Sequence, residues 1–218
     1  MSNKMTVVQC WDDGVTTDVR LTDILRRHGA KATFNLNPGT HREERGSGWT
    51  HKNTEVLRLG RNELRDVYDG FTIGSHTVTH PRLERIPIDA ARAEISEGRR
   101  QLQDLFGQPV YGFAYPCGTY NEEVMEAVRE AGHRYARTTQ RADRPFPPDD
   151  PMALHPCGHF LDADLPEKYE AAKPGGVFYF WGHSYEMISE DMWTAFEGFI
   201  EHISADPDSR WGEVWEQI

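Results

Sequence analysis

The chain has 218 residues, 38% of them hydrophobic, with 24 Lys and Arg against 35 Asp and Glu and a formal charge of −11. This excludes a disordered or fibrous polypeptide, and a chain of this length can bury about 70% of its unfolded surface without staples. The acidic balance also excludes a nucleic-acid partner, because the basic pairs Arg26-Arg27 and Arg99-Arg100 do not grow into a stripe that could neutralise phosphates.

Met1 to Val8 lacks an apolar signal core, and the run Val177 to Trp181 is far too short to span a membrane. The three cysteines, Cys10, Cys117 and Cys157, are too few for a disulfide framework, although one bridge remains open, and they point toward a reducing compartment. The expectation is a single domain over residues 1–218, cytoplasmic unless a signal segment has been removed.

Strand and helix signals alternate along the chain. Thr6 to Trp11 reads as a buried strand, followed by Leu21, Ile24, Leu25 and His28 at helical spacing up to Gly29. A second strand, Ala32 to Leu36, leads into a long loop from Asn37 to about Gly60, rich in Gly, His and charge and carrying Trp49. A short helix from Asn62 to Asp69 precedes the strand Phe71 to Gly74. Between Asp89 and Phe106 the residues Ala91, Ile95, Gly98, Leu102 and Leu105 trace one face of a helix. Val110 to Tyr115 is the next strand, and Asn121 caps a helix that begins with Glu122 and Glu123 and ends at Gly132. His133 to Thr139 reads as a strand, Gln140 to Pro151 as a loop, Val177 to Trp181 as a strand and Glu190 to Ser204 as the last helix. Such alternation predicts an α/β protein with a parallel sheet, open or closed into a barrel, whose ligands sit at the carboxyl ends of the strands.

The polar residues at those ends form a chemical set. Asp12 and Asp13 follow the first strand, His76 and His80 the Phe71 to Gly74 strand, Pro116-Cys117-Gly118 the Val110 strand, and His183 the Val177 strand. Histidines four apart face the same way on one helical turn, which Pro81 must end. Two imidazoles and one carboxylate make a divalent-metal set with an open position, suited to zinc; cobalt, nickel and manganese are alternatives. The second aspartate then remains free as a base if the pair straddles a bend at Gly14, and His183 can protonate a leaving nitrogen or oxygen. Metal-assisted hydrolysis of an acyl bond is the reaction class these residues fit.

Cys10-Trp11-Asp12-Asp13-Gly14, Gly74-Ser75-His76-Thr77-Val78-Thr79-His80-Pro81, Phe113-Ala114-Tyr115-Pro116-Cys117-Gly118 and Trp181-Gly182-His183 stand in the order and at the approximate spacing of the polysaccharide deacetylase family, carbohydrate esterase family 4. The sequence resembles that family over residues 10 to 183. The resemblance implies a distorted (β/α) barrel of about seven parallel strands, one divalent metal, and removal of N-acetyl or O-acetyl groups from a saccharide. It implies Asp12 as general base, Asp13, His76 and His80 as metal ligands, His183 as general acid, and the Cys117 backbone N–H as oxyanion donor. Tyr115, Pro116, Trp49 and Tyr185 are expected to contact substrate, while Trp11 and Trp181 are better read as packing.

Two departures from the family pattern stand out. An arginine that normally pairs with the catalytic aspartate is replaced by Ala114, so either Arg134 or Arg137 holds Asp12, or its pKa and orientation differ from the family norm. The aspartate-tryptophan motif that tunes the general acid is missing; Glu186 is placed to orient His183 or to cap the next helix. His155 and His159 form a second His-x3-His around Pro156 and Gly158, which favours a pocket-lining or structural role over a metal site. The phrase Phe113-Ala114-Tyr115-Pro116 is similar to a branch that opens small ring amides, so a cyclic amide or ureide is the alternative substrate. A carbohydrate-binding relative that has lost activity is the alternative from another class.

Overall fold

A computed structural model describes residues 4–173 and 175–218. Among the described residues, ten strands and six α-helices follow one another along the chain. The strands are β1 (Met5–Asp12), β2 (Thr33–Leu36), β3 (Gly46–His51), β4 (Thr54–Arg58), β5 (Thr72–Ser75), β6 (Gly112–Ala114), β7 (Tyr135–Arg137), β8 (Gly158–His159), β9 (Val177–Gly182) and β10 (Ser209–Trp211). The helices are α1 (Asp18–Arg27), α2 (Leu64–Val67), α3 (Ile88–Phe106), α4 (Glu122–Glu130), α5 (Leu165–Ala171) and α6 (Glu190–Ala205). Among the described residues no helix is long and apolar enough to cross a membrane.

Seven strands run parallel in the order β7-β6-β5-β2-β1-β9-β8. The sheet curls into a distorted (β/α) half-barrel, as the alternation of elements predicts. Every residue of β1 is buried, as a central parallel strand covered on both faces requires. β10 pairs with Met5–Val7 on the edge of β1 that β2 takes over from Cys10 onward. Opposite β1, one segment links the two ends of the strand path: Leu154 bonds to Ala136 and Thr138 beside β7, and a few residues later Gly158 and His159 pair with Phe180 and Trp181.

Packing follows the expected faces. Ala91, Ile95, Gly98 and Leu102 of α3 are buried, and Asn121 accepts the Val124 N–H at 2.9 Å as the N-cap of α4. Trp11 is fully buried, packed against Phe160 and Phe196 at centroid distances of 5.1 and 5.2 Å.

Two expectations are corrected, and three short elements go unread in the sequence. Residues 37 to 60 are not one loop: β3 and β4 form an antiparallel hairpin turned by Lys52 and Asn53, both at positive φ. The sequence carries no Asn-Gly or Asp-Gly turn there and little apolar alternation, so the signal was absent. The residues from His76 to His80 are not a helical turn, because Thr77 and His80 lie in the left-handed region (φ 69° and 65°) and Pro81 disfavours a helical residue before it. Finally, β8, α5 and β10 have two, seven and three residues, too short to show a period.

One glycine lies under the site. Gly74 of β5 stands in register with Asn35 of β2, and a Cβ there would come within 2.1 Å of Asn35 Oδ1. Gly198, by contrast, is exposed in α6 with open space around it. Gly74→Ala is expected to lower unfolding free energy by about 1–3 kcal/mol through overpacking, and Gly198→Ala to raise it by about 0.5–1 kcal/mol through helix propensity. Urea denaturation of both variants checks the pair.

Candidate active site

β1 ends at Asp12, and Asp13 (φ 85°) and Gly14 (φ 69°) bend the chain in the left-handed region, giving the adjacent carboxylates different partners. Asp12 is 2% exposed; its Oδ1 accepts Asn35 Nδ2 at 2.8 Å and its Oδ2 accepts Arg137 Nη2. Arg137, at the end of β7, is 1% exposed and lies over the Trp181 ring at 4.4 Å. Arg137 therefore partners Asp12, whereas Arg134 is turned to Tyr111 and Trp215. Burial by itself would raise the Asp12 carboxyl. The charges of Arg137 and His183 and the Asn35 hydrogen bond outweigh it and hold Asp12 below the ordinary carboxylate value. Asp13 is held from the hairpin: Arg58 Nη1 donates to its carbonyl, and Nη2 is 3.7 Å from Oδ1.

His76 follows β5 and is 2% exposed. Its Nδ1 lies 2.7 Å from the carbonyl of Ala114, which fixes Nδ1 as the protonated nitrogen and leaves Nε2 as a lone pair. Burial pushes the imidazole down to about 4, so it is neutral. Its ring lies 4.6 Å from that of His80, whose Nε2 is 4.0 Å from Asp13 Oδ1. One ligand atom from each of Asp13, His76 and His80 falls within 4.8 Å of the others. A neutral imidazole with its second nitrogen anchored, a further imidazole and a carboxylate form a donor set that fits a divalent cation.

His183 follows β9. Its Nδ1 lies 3.1 Å from Glu186 Oε2, while Nε2 is 3.9 Å from both Asp12 Oδ2 and Asp13 Oδ2. Burial would lower this imidazole, but the Glu186 hydrogen bond and the charges of Asp12 and Asp13 raise it above the ordinary value. Glu186 both orients His183 and caps, since it also accepts the His183 backbone N–H at 3.2 Å. The adjacent Ser184 donates to Asp18, a buried carboxyl that also accepts Tyr68 Oη at 2.6 Å and the Val15 N–H at 3.2 Å. Asp18 thereby ties the segment after β9 to the one after β1.

A pocket of ≈ 260 Å³ brings these groups together. Its wall includes Asp12, Asp13, His76, His80, Arg137 and His183, along with Tyr115, Cys117, Trp181 and Tyr185. Cys117 has a positive φ of 58° and an exposed side chain. Tyr115 is buried, with its hydroxyl committed to the Met152 carbonyl at 2.8 Å. Pro116 and Trp49 do not belong to the wall: Pro116 is buried, and Trp49 packs edge-on against Tyr185 at 5.1 Å with Arg58 over its face. His155 and His159 also part company, His155 bonding Thr138 and His159 reaching Glu186.

Sequence reasoning missed Asn35, Arg58 and Asp18. Only an unusual polar residue in an otherwise apolar strand, Asn35, offered a signal.

Comparison with known proteins places these residues in a family. The polysaccharide deacetylase family model matches residues 2–136, from β1 into β7, and so takes in both aspartates and both histidines. YxkH of Bacillus subtilis is 26% identical over 136 residues, 62% of this chain and 44% of its own length. A chitooligosaccharide deacetylase of Azorhizobium caulinodans is 27% identical over 135 residues, 61% of this chain and 57% of its own. The chain thus spans about half the length of these curated relatives. A carbohydrate esterase family 4 pseudoenzyme of Bacillus anthracis shares the fold, with a TM-score of 0.65 at 18% identity, covering 100% of this chain and 66% of that one. Since the family model accounts for well over half of the chain, this protein belongs to the polysaccharide deacetylase family.

Proposed function

We propose that the protein is a metal-dependent hydrolase that removes acetyl groups from a carbohydrate, N-acetyl in preference to O-acetyl, with residues 1–218 acting as one catalytic unit. The observation that carries this reading is the convergence of four strand ends on one pocket, with Arg137 bound to Asp12 in place of the family arginine. That contact supports an active enzyme over the alternative of an inactive carbohydrate-binding relative, which Ala114 suggests.

Asp13, His76 and His80 would hold the cation, and zinc suits their donor set best. When bound, a divalent cation supplies Lewis-acid polarisation of the acyl carbonyl and of water. Asp12 takes the proton of the attacking water on its carboxylate, which Arg137 and Asn35 keep ionised and fixed. The Cys117 backbone N–H donates to the oxygen that becomes anionic. His183 Nε2, on the pocket side of its ring, gives a proton to the departing nitrogen or oxygen. Tyr115 and Tyr185 flank the sugar, Trp49 supports Tyr185 from behind, and Pro116 sets the turn that presents Cys117.

The pocket volume of ≈ 260 Å³ is small for a chain of sugar rings, which favours a second reading, hydrolysis of a small cyclic amide or ureide. Acetate release from N- and O-acetylated saccharides, chitooligosaccharides among them, assayed beside ring opening of cyclic amides, separates the two.

Asp12→Asn is expected to lower kcat about 10²–10⁴-fold while elemental analysis finds the metal still bound; activity near wild type would remove Asp12 from the base role. His76→Ala and His80→Ala are each expected to lose the single bound metal along with activity. Metal retained at one per chain in both variants would mean that the ligands lie elsewhere.

A further inference from the structure

The cluster beside the pocket contains one group that the proposed mechanism does not use. His159, on β8, reaches Glu186 Oε2 with its Nε2 at 2.8 Å, the same oxygen that His183 Nδ1 approaches at 3.1 Å. The tautomers along this chain follow from one backbone group. Leu161 N–H can only donate, and it lies 3.3 Å from His159 Nδ1, so Nδ1 accepts and the ring proton sits on Nε2. His159 then donates to Glu186. A carboxylate oxygen that receives this bond also accepts from His183 Nδ1 and from the His183 backbone N–H at 3.2 Å. His183 therefore keeps a proton on Nδ1 toward Glu186, and the second proton, present when the ring is cationic, is carried at Nε2, the atom facing Asp12.

Packing immobilises the chain of contacts. The His159 ring stands edge-on to Trp181 at 4.7 Å and tilted against Phe160 at 4.9 Å, and its backbone N–H bonds Asp162 Oδ2 at 2.6 Å. A cation shared by His159, His183 and Glu186 is a poorer account of the cluster. Two ligands of one tetrahedral ion stand roughly 3.4 Å apart, beyond the 2.8 and 3.1 Å seen here, which are hydrogen-bond lengths.

We infer that His159 is a positioning residue: acting through Glu186, it fixes the ring orientation and tautomer of His183 and so aims the Nε2 proton at the leaving atom. The inference rests on the proposed acid role of His183. It replaces the missing aspartate partner of the general acid with a Glu–His pair drawn from β8 and the turn after β9. Donation to the leaving atom matters when that atom is a poorly departing amine and not when it is a stable aryloxide, so His159 should affect one substrate and not the other.

The experiment compares His159→Phe, which keeps a flat ring and loses the donor, with His159→Gln, whose amide nitrogen stands near the place of Nε2. On an N-acetylated chitooligosaccharide, H159F is expected to lower kcat about tenfold or more with KM little changed, and H159Q to recover most of that loss. Hydrolysis of p-nitrophenyl acetate should be little affected in either variant. Equal loss on both substrates, equal loss in H159F and H159Q, or no loss in H159F would each overturn the inference. Imidazole ¹⁵N spectra read the same contact without turnover: the neutral His183 ring is expected to carry its proton on Nδ1 in wild type and H159Q and to divide it between both nitrogens in H159F. An unchanged spectrum in H159F overturns the inference. If wild type releases no acetate but the spectra shift as expected, the deacetylase reading fails while the positioning role stands.

Discussion

Asp12 and Arg137 form an ion pair that is almost wholly removed from water. The two residues lie on β1 and β7, four steps apart in the strand order. In a flat sheet with strands about 4.8 Å apart they would be separated by roughly 19 Å. They meet because the sheet curls, and the arginine crosses the interior of the half-barrel to reach the carboxylate. Neither charge tolerates that environment alone: removing one partner of a buried pair costs about 3–5 kcal/mol, because the other is left desolvated. The pair therefore ties the curvature of the sheet to the chemistry at its carboxyl end. Asn35, from β2 beside β1, completes the acceptor's hydrogen bonding.

The same contact explains how the chain accommodates Ala114. With no side chain beyond Cβ there, β6 contributes its Ala114 carbonyl, which receives His76 Nδ1–H. The positive charge comes instead from the next strand, where Arg137 points inward and is braced on Trp181. The cation that the family resemblance leads one to expect beside the aspartate at the end of β1 is thus supplied from one strand further along.

Supports reach the site from outside the sheet as well. The β3–β4 hairpin inserts Arg58 against Asp13 and lays Trp49 on Tyr185, so an element with no chemistry of its own braces both a carboxylate and a pocket wall. Asp18, Ser184 and Tyr68 lock the segment after β9 to the start of α1. Such buried polar links hold position only while each donor finds its acceptor, and here they surround the residues of the candidate site.

By itself the sequence determined the alternation of elements, the amphipathic face of α3, the cap of α4 and the strand-end location of Asp12, Asp13, His76, His80 and His183. These are properties of local spacing: a period of side chains, a turn residue, a polar group just past an apolar run. Tertiary structure decided the rest. Choosing Arg137 over Arg134 required knowing which β7 residue points into the barrel. The hairpin from Gly46 to Arg58 required pairing energy that its turn residues do not advertise. The geometry of His76 and His80 came from two left-handed residues rather than a helical turn. His159 and Glu186 met because β8 pairs with β9 beside Trp181, a contact between residues 27 positions apart that no local period encodes. Hydrophobic patterning specifies which face is buried, whereas the partner of a buried charge depends on how separate strands register and curl around one another.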